Sequence, residues 1–291
     1  MTEKQSNRWM INVVVFFVVV VLVGFSIAPI VESALESQRS PDAAQSPQAL
    51  PSGQQRADLE NTARGYELVL QREPENQTAL RGLVDARIAL GDIKGTVEPL
   101  ETLAELNPGQ PSYTILLAQT KQYLGDREGA AQAYRNLLEE NPGDMNALKG
   151  LSDLLTQQER PEAAVNLLTD VIDSAPQVNQ VKPGSVNVPA VQLLLGEVYA
   201  QQSRFEEAIT TLDASIKGSP QDFRPVLAKA IVLQRQGKAD EAKPLFSQAE
   251  SLAPAQYKDQ VKKIATANAA SPSPSAPASP AGASDAEAPA E

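Results

Sequence analysis

Prolines recur along this chain at a fixed step. They fall at Pro74, Pro108, Pro142 and Pro176, each 34 residues after the last, and again at Pro220 and Pro254, also 34 apart. The gap from Pro176 to Pro220 is 44, one step plus ten residues. A period of this length marks a stacked repeat in which each unit is one supersecondary element. The neighbours of the prolines repeat too, as Glu73-Pro74-Glu75-Asn76, Asn107-Pro108-Gly109 and Asn141-Pro142-Gly143. Proline cannot carry a helix onward, so these read as helix-ending turns. A second punctuation mark sits 17 residues before the proline: Gly91-Asp92, Gly125-Asp126, Ser203-Arg204 and Gly237-Lys238, with Glu159-Arg160-Pro161 in the same place of the third unit. Each unit is therefore expected to be two helices joined by a tight turn.

With a 34-residue helix–turn–helix unit, the sequence resembles the tetratricopeptide repeat (TPR) family and its W-x2-L-G-x2-Y…A-x3-F…P pattern. Five units align at 77–110, 111–144, 145–178, 189–222 and 223–256. The first helices carry a small residue at Val84, Ala118, Ser152, Gly196 and Ala230, and the second helices one at Thr96, Ala130, Ala164, Ala208 and Ala242. Short side chains there let the paired helices approach. Four residues on comes a bulky wedge, Leu100, Tyr134, Leu168, Leu212 and Phe246, to fill the space between units, since no unit buries its apolar face alone. The chain departs from the family pattern in having no tryptophan in any unit, with Gln192 and Lys229 in places usually apolar. Pro99 and Pro244 lie inside second helices, which predicts kinked or short helices there, because each removes a backbone hydrogen bond. The fold expected is all-α, a right-handed TPR solenoid preceded by one transmembrane helix.

The membrane expectation rests on residues 9–31, from Trp9 to Val31, a run of 23 without a charge. About 20 apolar residues span the hydrocarbon core. The run is longer than the roughly 7–15 residues of a signal peptide's apolar region, and Pro29 after Ala28 disfavours cleavage, so it reads as an uncleaved anchor. Lys4 and Arg8 in the flank 1–8 precede it, while Glu32, Glu36 and Asp42 follow. The positive-inside rule then leaves the N-terminus in the cytoplasm and the repeats in the periplasm or a lumen, the host membrane being plasma or thylakoid.

The remaining segments follow from composition. Residues 32–55, rich in Gln, Ser, Pro and Ala, read as a flexible linker. Residues 56–72 resemble the second half of a unit, with Tyr66 and Val69 in wedge-like places, and are expected to cap the stack. A polar helix over 257–268, with Lys258, Lys262 and Lys263 outward, is expected to close it. The Pro/Ala/Ser tail 269–291 has too little apolar surface to order itself. The insertion 177–188, which holds Pro183-Gly184, reads as a longer surface loop, or else as one that reaches over the groove to gate a partner.

Chemistry is bounded by what is missing. With no cysteine and no histidine, thiolate nucleophiles, Cys/His zinc sites and imidazole triads are absent. No HExxH, GxSxG, P-loop or dinucleotide turn occurs. No catalysis, cofactor, metal or small-molecule substrate is expected. The net charge of −11 repels phosphate backbones, so no nucleic-acid partner is expected either.

The TPR resemblance implies instead a protein-binding groove lined by first helices. It places there Thr78, Arg81, Asp85 and Ile88; Ile115, Gln119, Gln122 and Tyr123; Asn146, Lys149, Asp153 and Thr156; Leu193, Glu197 and Gln201; and Arg224, Leu227, Ile231 and Arg235. The carboxylate clamp of Hsp70- and Hsp90-binding TPR proteins is mostly missing: its places hold Arg81, Asp85, Leu116, Asn146 and Gly150. The anchor, the tail and the run Asn141-Pro142-Gly143-Asp144-Met145-Asn146-Ala147-Leu148 also make the chain similar to cyanobacterial and plastid TPR proteins of the Slow Green type. That likeness implies a role in building photosynthetic membranes. The function expected is a membrane-anchored scaffold that assembles or stabilises a membrane protein complex. The alternative is a structural subunit of an envelope machine for secretion, cytochrome maturation or pili.

Overall fold

The computed structural model describes residues 53–269, and the surroundings of side chains through 266. The expected flank 1–8, anchor 9–31, most of the linker 32–55 and all but the first residue of the tail 269–291 lie outside the described residues. Among the described residues every regular element is helical, and no helix is long and apolar enough to cross a membrane.

A lone helix α1 (Gly53–Leu70) comes first. Five pairs follow: α2 (Gln77–Leu90) with α3 (Val97–Leu106), α4 (Pro111–Tyr123) with α5 (Arg127–Glu140), α6 (Met145–Gln157) with α7 (Pro161–Val181), α8 (Val188–Gln201) with α9 (Phe205–Gly218), and α10 (Phe223–Arg235) with α11 (Ala239–Leu252). Helix α12 (Ala255–Ala269) closes the series. The boundaries have local causes. Side-chain oxygens of Asn76, Asp144, Asn187 and Asp222 accept backbone N–H groups at the starts of α2, α6, α8 and α10, satisfying donors a helix cannot satisfy itself. The turn inside each pair passes through the left-handed region, at Gly91 (φ 77°), Gly125 (85°), Glu159 (59°), Ser203 (61°) and Gly237 (82°).

The aligned small and wedge positions form the core. All five small residues of the first helices, and all five of the second, are buried. The wedges Leu100, Tyr134, Leu168, Leu212 and Phe246 are buried with them. Two wedges meet sockets that the alignment did not anticipate. A Cβ on Gly82 would overlap the Tyr66 ring, and one on Gly150 would overlap the Tyr134 ring. Each glycine stands 16 residues after its tyrosine, and the same step links Leu100 to Leu116, which pack in one cluster.

Each helix packs on the next in sequence, but the second kind of contact is one-sided. Successive first helices touch each other from α4 to α6, α8, α10 and on to α12, whereas no two second helices approach comparably. The first helices therefore form the inner side of a curved stack. The α12 end is sealed by Val261, which is buried with Val226 and Ala249, and by Tyr257 stacked on Phe223 at 5.7 Å.

Pro99 sits in a short helix, as expected, whereas Pro244, Pro176 and the insertion depart from expectation. Pro99 falls at the third residue of α3, where a missing N–H costs nothing; a 3-10 turn (Lys94–Thr96) precedes it and α3 is short, ten residues. Helix α11, expected to be short or kinked, keeps 14 residues and runs through Pro244. Pro176 does not end its helix: α7 continues to Val181 for 21 residues. So the insertion is not simply a surface loop. Its first part extends α7, and its second is clipped down. Asn179 donates to the Val186 carbonyl and accepts from the Val186 N–H, both at 2.9 Å. Lys182-Pro183-Gly184-Ser185 turns with Gly184 at φ 77°, and Val186 enters the main core. The loop lies against the turn between the second and third units, where a Cβ on Gly143 would overlap the Ser185 carbonyl.

Candidate protein-binding groove

The inner helices place the expected groove residues unevenly. Thr78, Arg81, Asp85 and Ile88 stand exposed on α2, with Arg81 hydrogen-bonded only to its own helix at Gln77. Tyr123 is 77 % exposed and Ile88 45 %, so both present apolar surface to water. Gln119 is exposed on α4, Ile115 packs partly into the main core, and Gln122 reaches Gln157 on α6 at 3.3 Å. On α6, Asn146 is exposed, Thr156 is half-buried with its hydroxyl donating to the Ser152 carbonyl, and Lys149 pairs with Asp153 at 2.8 Å. Glu197 and Gln201 are exposed on α8.

Leu193 is a correction. It is buried with Leu212 and Val232, because α8 and α10 touch and the side chain folds into their seam. Leu227 and Ile231 on α10 are half-buried against neighbouring clusters, and Arg235 donates to the Ala200 carbonyl at 3.4 Å. Arg224 is held by Asp222, through Nε at 3.0 Å and Nη2 at 2.6 Å.

Charge gathers where α6, α8 and α10 face one another. Glu197 keeps contact with water, yet the inner curve crowds protein around it. That desolvation is the largest influence on its carboxyl and holds it above the ordinary range; Lys149 and Arg224 pull the other way, and Asp153 adds to the rise. The Tyr134 hydroxyl, under the same strip, is pushed up to about 12, first by burial and then by the charge of Asp153. Asp222 is held below its usual value: burial, the largest influence, raises it, and the bonds from Arg224 outweigh that. Among the described residues, no group of three or more Asp or Glu is placed to hold a metal ion.

Sequence reasoning missed two sets of residues around the groove. Asp222, which neutralises Arg224, is also the residue that caps α10, and an Asp just before a helix start was the available signal. A ladder of contacts along the intra-pair turns was also missed. Arg204 pairs with Glu162 of the unit before at 3.0 Å, and Lys238 with Glu206 at 3.5 Å. Nearer the first units, Arg87 pairs with Glu67 at 2.7 Å and Lys121 with Glu101 at 2.8 Å. The two cations of this last set stand 34 residues apart, and so do the two glutamates, so carrying the period into the charged positions would have found it. Water screens such exposed pairs, so they add little to stability, and their value is in fixing how units meet. A further open hollow of about 640 Å³ lies between the clipped loop and the turn at Asn141–Asp144.

Paired helices at constant pitch, with wedges between units and an inner face of first helices, define a TPR solenoid, a fold that mediates protein–protein interaction. Family profiles described as "Tetratricopeptide repeat" match residues 123–183 and 187–223, and those residues are tetratricopeptide repeats. Yeast Tom70 is similar in structure at a TM-score of 0.50 and 17 % identity, covering 71 % of this chain and 42 % of its own. TTC0263, a thermophilic TPR protein of Thermus thermophilus, has a TM-score of 0.45 and 20 % identity over 66 % of this chain and 98 % of its own. MamA protein stands at 0.42 and 19 %, over 64 % and 96 %. At these identities the likeness concerns the fold alone. No curated protein matches the sequence.

Proposed function

We propose that this chain is a membrane-tethered scaffold that grips a segment of a protein partner along its inner face while a membrane complex is assembled or stabilised. The observation that supports it is the run of touching first helices, α4 to α12, which presents exposed Tyr123, the Lys149–Asp153 pair, Glu197 and Arg224 on one continuous curve. Apolar anchors beside charges of both signs suit an extended or helical segment. The tether rests on the uncharged run 9–31 and its flanking charges. Holding the groove at a bilayer raises its concentration near membrane partners, so modest affinity suffices. The likeness to the Slow Green type makes a photosynthetic membrane the first to try.

The test is site-specific photocrosslinking in native membranes. A crosslinker at Gln119 or Gln201 on the inner face is expected to capture membrane-complex subunits, and one at Lys217 on α9 is not. Equal capture from both faces, or capture of soluble proteins alone, would overturn the reading. Protease added to sealed vesicles with the cytoplasmic face outward tests the orientation: the repeats are expected to be protected, and their digestion would contradict a periplasmic or lumenal solenoid.

A further inference from the structure

Resting on that reading, we infer that the segment held across α6, α8 and α10 carries a lysine or arginine side chain that pairs with Glu197. The argument is a count of charges at one place in the groove. Lys149 is occupied by Asp153 at 2.8 Å. Arg224 is occupied by Asp222, whose Oδ1 lies 3.0 Å from Nε and whose Oδ2 lies 2.6 Å from Nη2. Each cation facing Glu197 thus has a nearer carboxylate of its own. Glu197 alone, among the charged residues of this strip, makes no hydrogen bond or ion pair with a described residue. Around Glu197, two neutralised pairs and one unpaired carboxylate leave net −1; Arg235, further along α10, is turned to the Ala200 carbonyl and is not among the charges that act on Glu197.

That arrangement selects by sign. An acidic segment, such as a C-terminal carboxylate, meets Glu197 and Asp153 and is repelled. A cation meets an unpaired carboxylate already partly stripped of water, so little further desolvation opposes the pair. The preference is opposite to that of the carboxylate clamp, whose basic residues this chain mostly lacks. The polarity along the groove follows as well: exposed Tyr123 and Ile88 on α4 and α2 offer apolar contact on one side, and the cation belongs on the α8 side.

The probe is a set of random nine-residue peptide pools, blocked at both ends, each with Lys, Arg, Gln or Glu fixed at one position. Pools are passed over the immobilised full chain in mild detergent. Pools with Lys or Arg fixed at one favoured position are expected to be retained about tenfold over Glu pools, the size a well-placed charge pair gives. Glu197→Gln should level that difference and Glu197→Lys should invert it. Asp222→Asn, which frees Arg224 to turn to Glu197, should reduce it with Glu197 still present. Melting curves establish that each variant folds, and the Gln variant carries the test if the Lys variant does not. Retention of Lys and Glu pools alike, with both lowered by Tyr123→Ala, overturns the charge inference and leaves the groove. A preference for Lys that survives Glu197→Gln overturns it as well. No retention of any pool above a helical protein without a groove overturns the groove and the inference together.

Discussion

Tyr134 fits under Gly150 because glycine has no Cβ to meet the ring. Gly150→Ala gains about 1 kcal/mol of helix propensity, but overpacking costs about 1–3 kcal/mol. The variant is expected to lose stability in urea unfolding, and Tyr134→Leu in the same chain should recover most of it, by making room. Ser203 presents the opposite case. It holds φ 61° where three other units use glycine, and a side chain in that region costs about 1–2 kcal/mol. Ser203→Gly is expected to raise the melting temperature, with about 1 kcal/mol of gain once glycine's extra chain entropy is offset. Glu197 is a third case, set by pH. Its folded pKa is raised, so its contribution is complete below the unfolded value, about 4.3, and is lost as pH rises through the folded one. At about pH 7 the ionised carboxylate weighs against the fold. Glu197→Gln is therefore expected to raise the urea midpoint there and leave it nearly unchanged at about pH 3.5. A midpoint that falls at neutral pH would mean the carboxylate is paired after all.

The helices themselves were largely legible, because the turn glycines, caps and small residues recur in phase and each has a single steric reason. The exceptions are instructive. Pro176 carries the same signal as Pro142, yet α7 runs through it. What differs is downstream: Asn179 and Val186 supply contacts that reward five more helical residues, and a pattern read one unit at a time does not contain them. Asn179→Ala would strand both backbone groups of Val186, at a cost of about 1–3 kcal/mol. Amide exchange at Val186 and over 182–187 is expected to speed up markedly, while α4 and α5 stay as they were. Unchanged exchange would show that Val186 alone seats the loop. The groove was legible in part. Position within a unit located Lys149, Asp153, Glu197 and Arg224 on the inner helices, but it placed Leu193 there too. How far α8 and α10 close on each other depends on both helices at once, and that distance decides whether a residue lines the curve or disappears into it.

A stack of units joined only to their neighbours has a stability that is nearly a sum of local terms. The largest cluster of buried residues runs from Ala118 to Val198, through α4 to α8, while α1 contributes the single buried residue Ala63. Opening is then expected to begin at the ends. Native-state hydrogen exchange should show α1 least protected and α5 to α8 most protected, with a graded rather than uniform profile. A single free energy shared by all helices would contradict this. Arg87–Glu67 and Lys121–Glu101 are half-exposed ties between such units, so the N-terminal gradient should steepen as salt screens them.

Near-identical modules in one chain carry a hazard, since a helix pair can settle on the wrong neighbour or on the same module of another molecule. Here the seams are not interchangeable. The tyrosine at 66 suits the gap at 82, the leucine at 100 shares its cluster with the leucine at 116, and the tyrosine at 134 suits the gap at 150. A slip of one module would drive an aromatic ring into a leucine on one side and leave a void on the other. Alternating large and small partners thus act as a proofreading code, by which the chain recognises its own order as it folds.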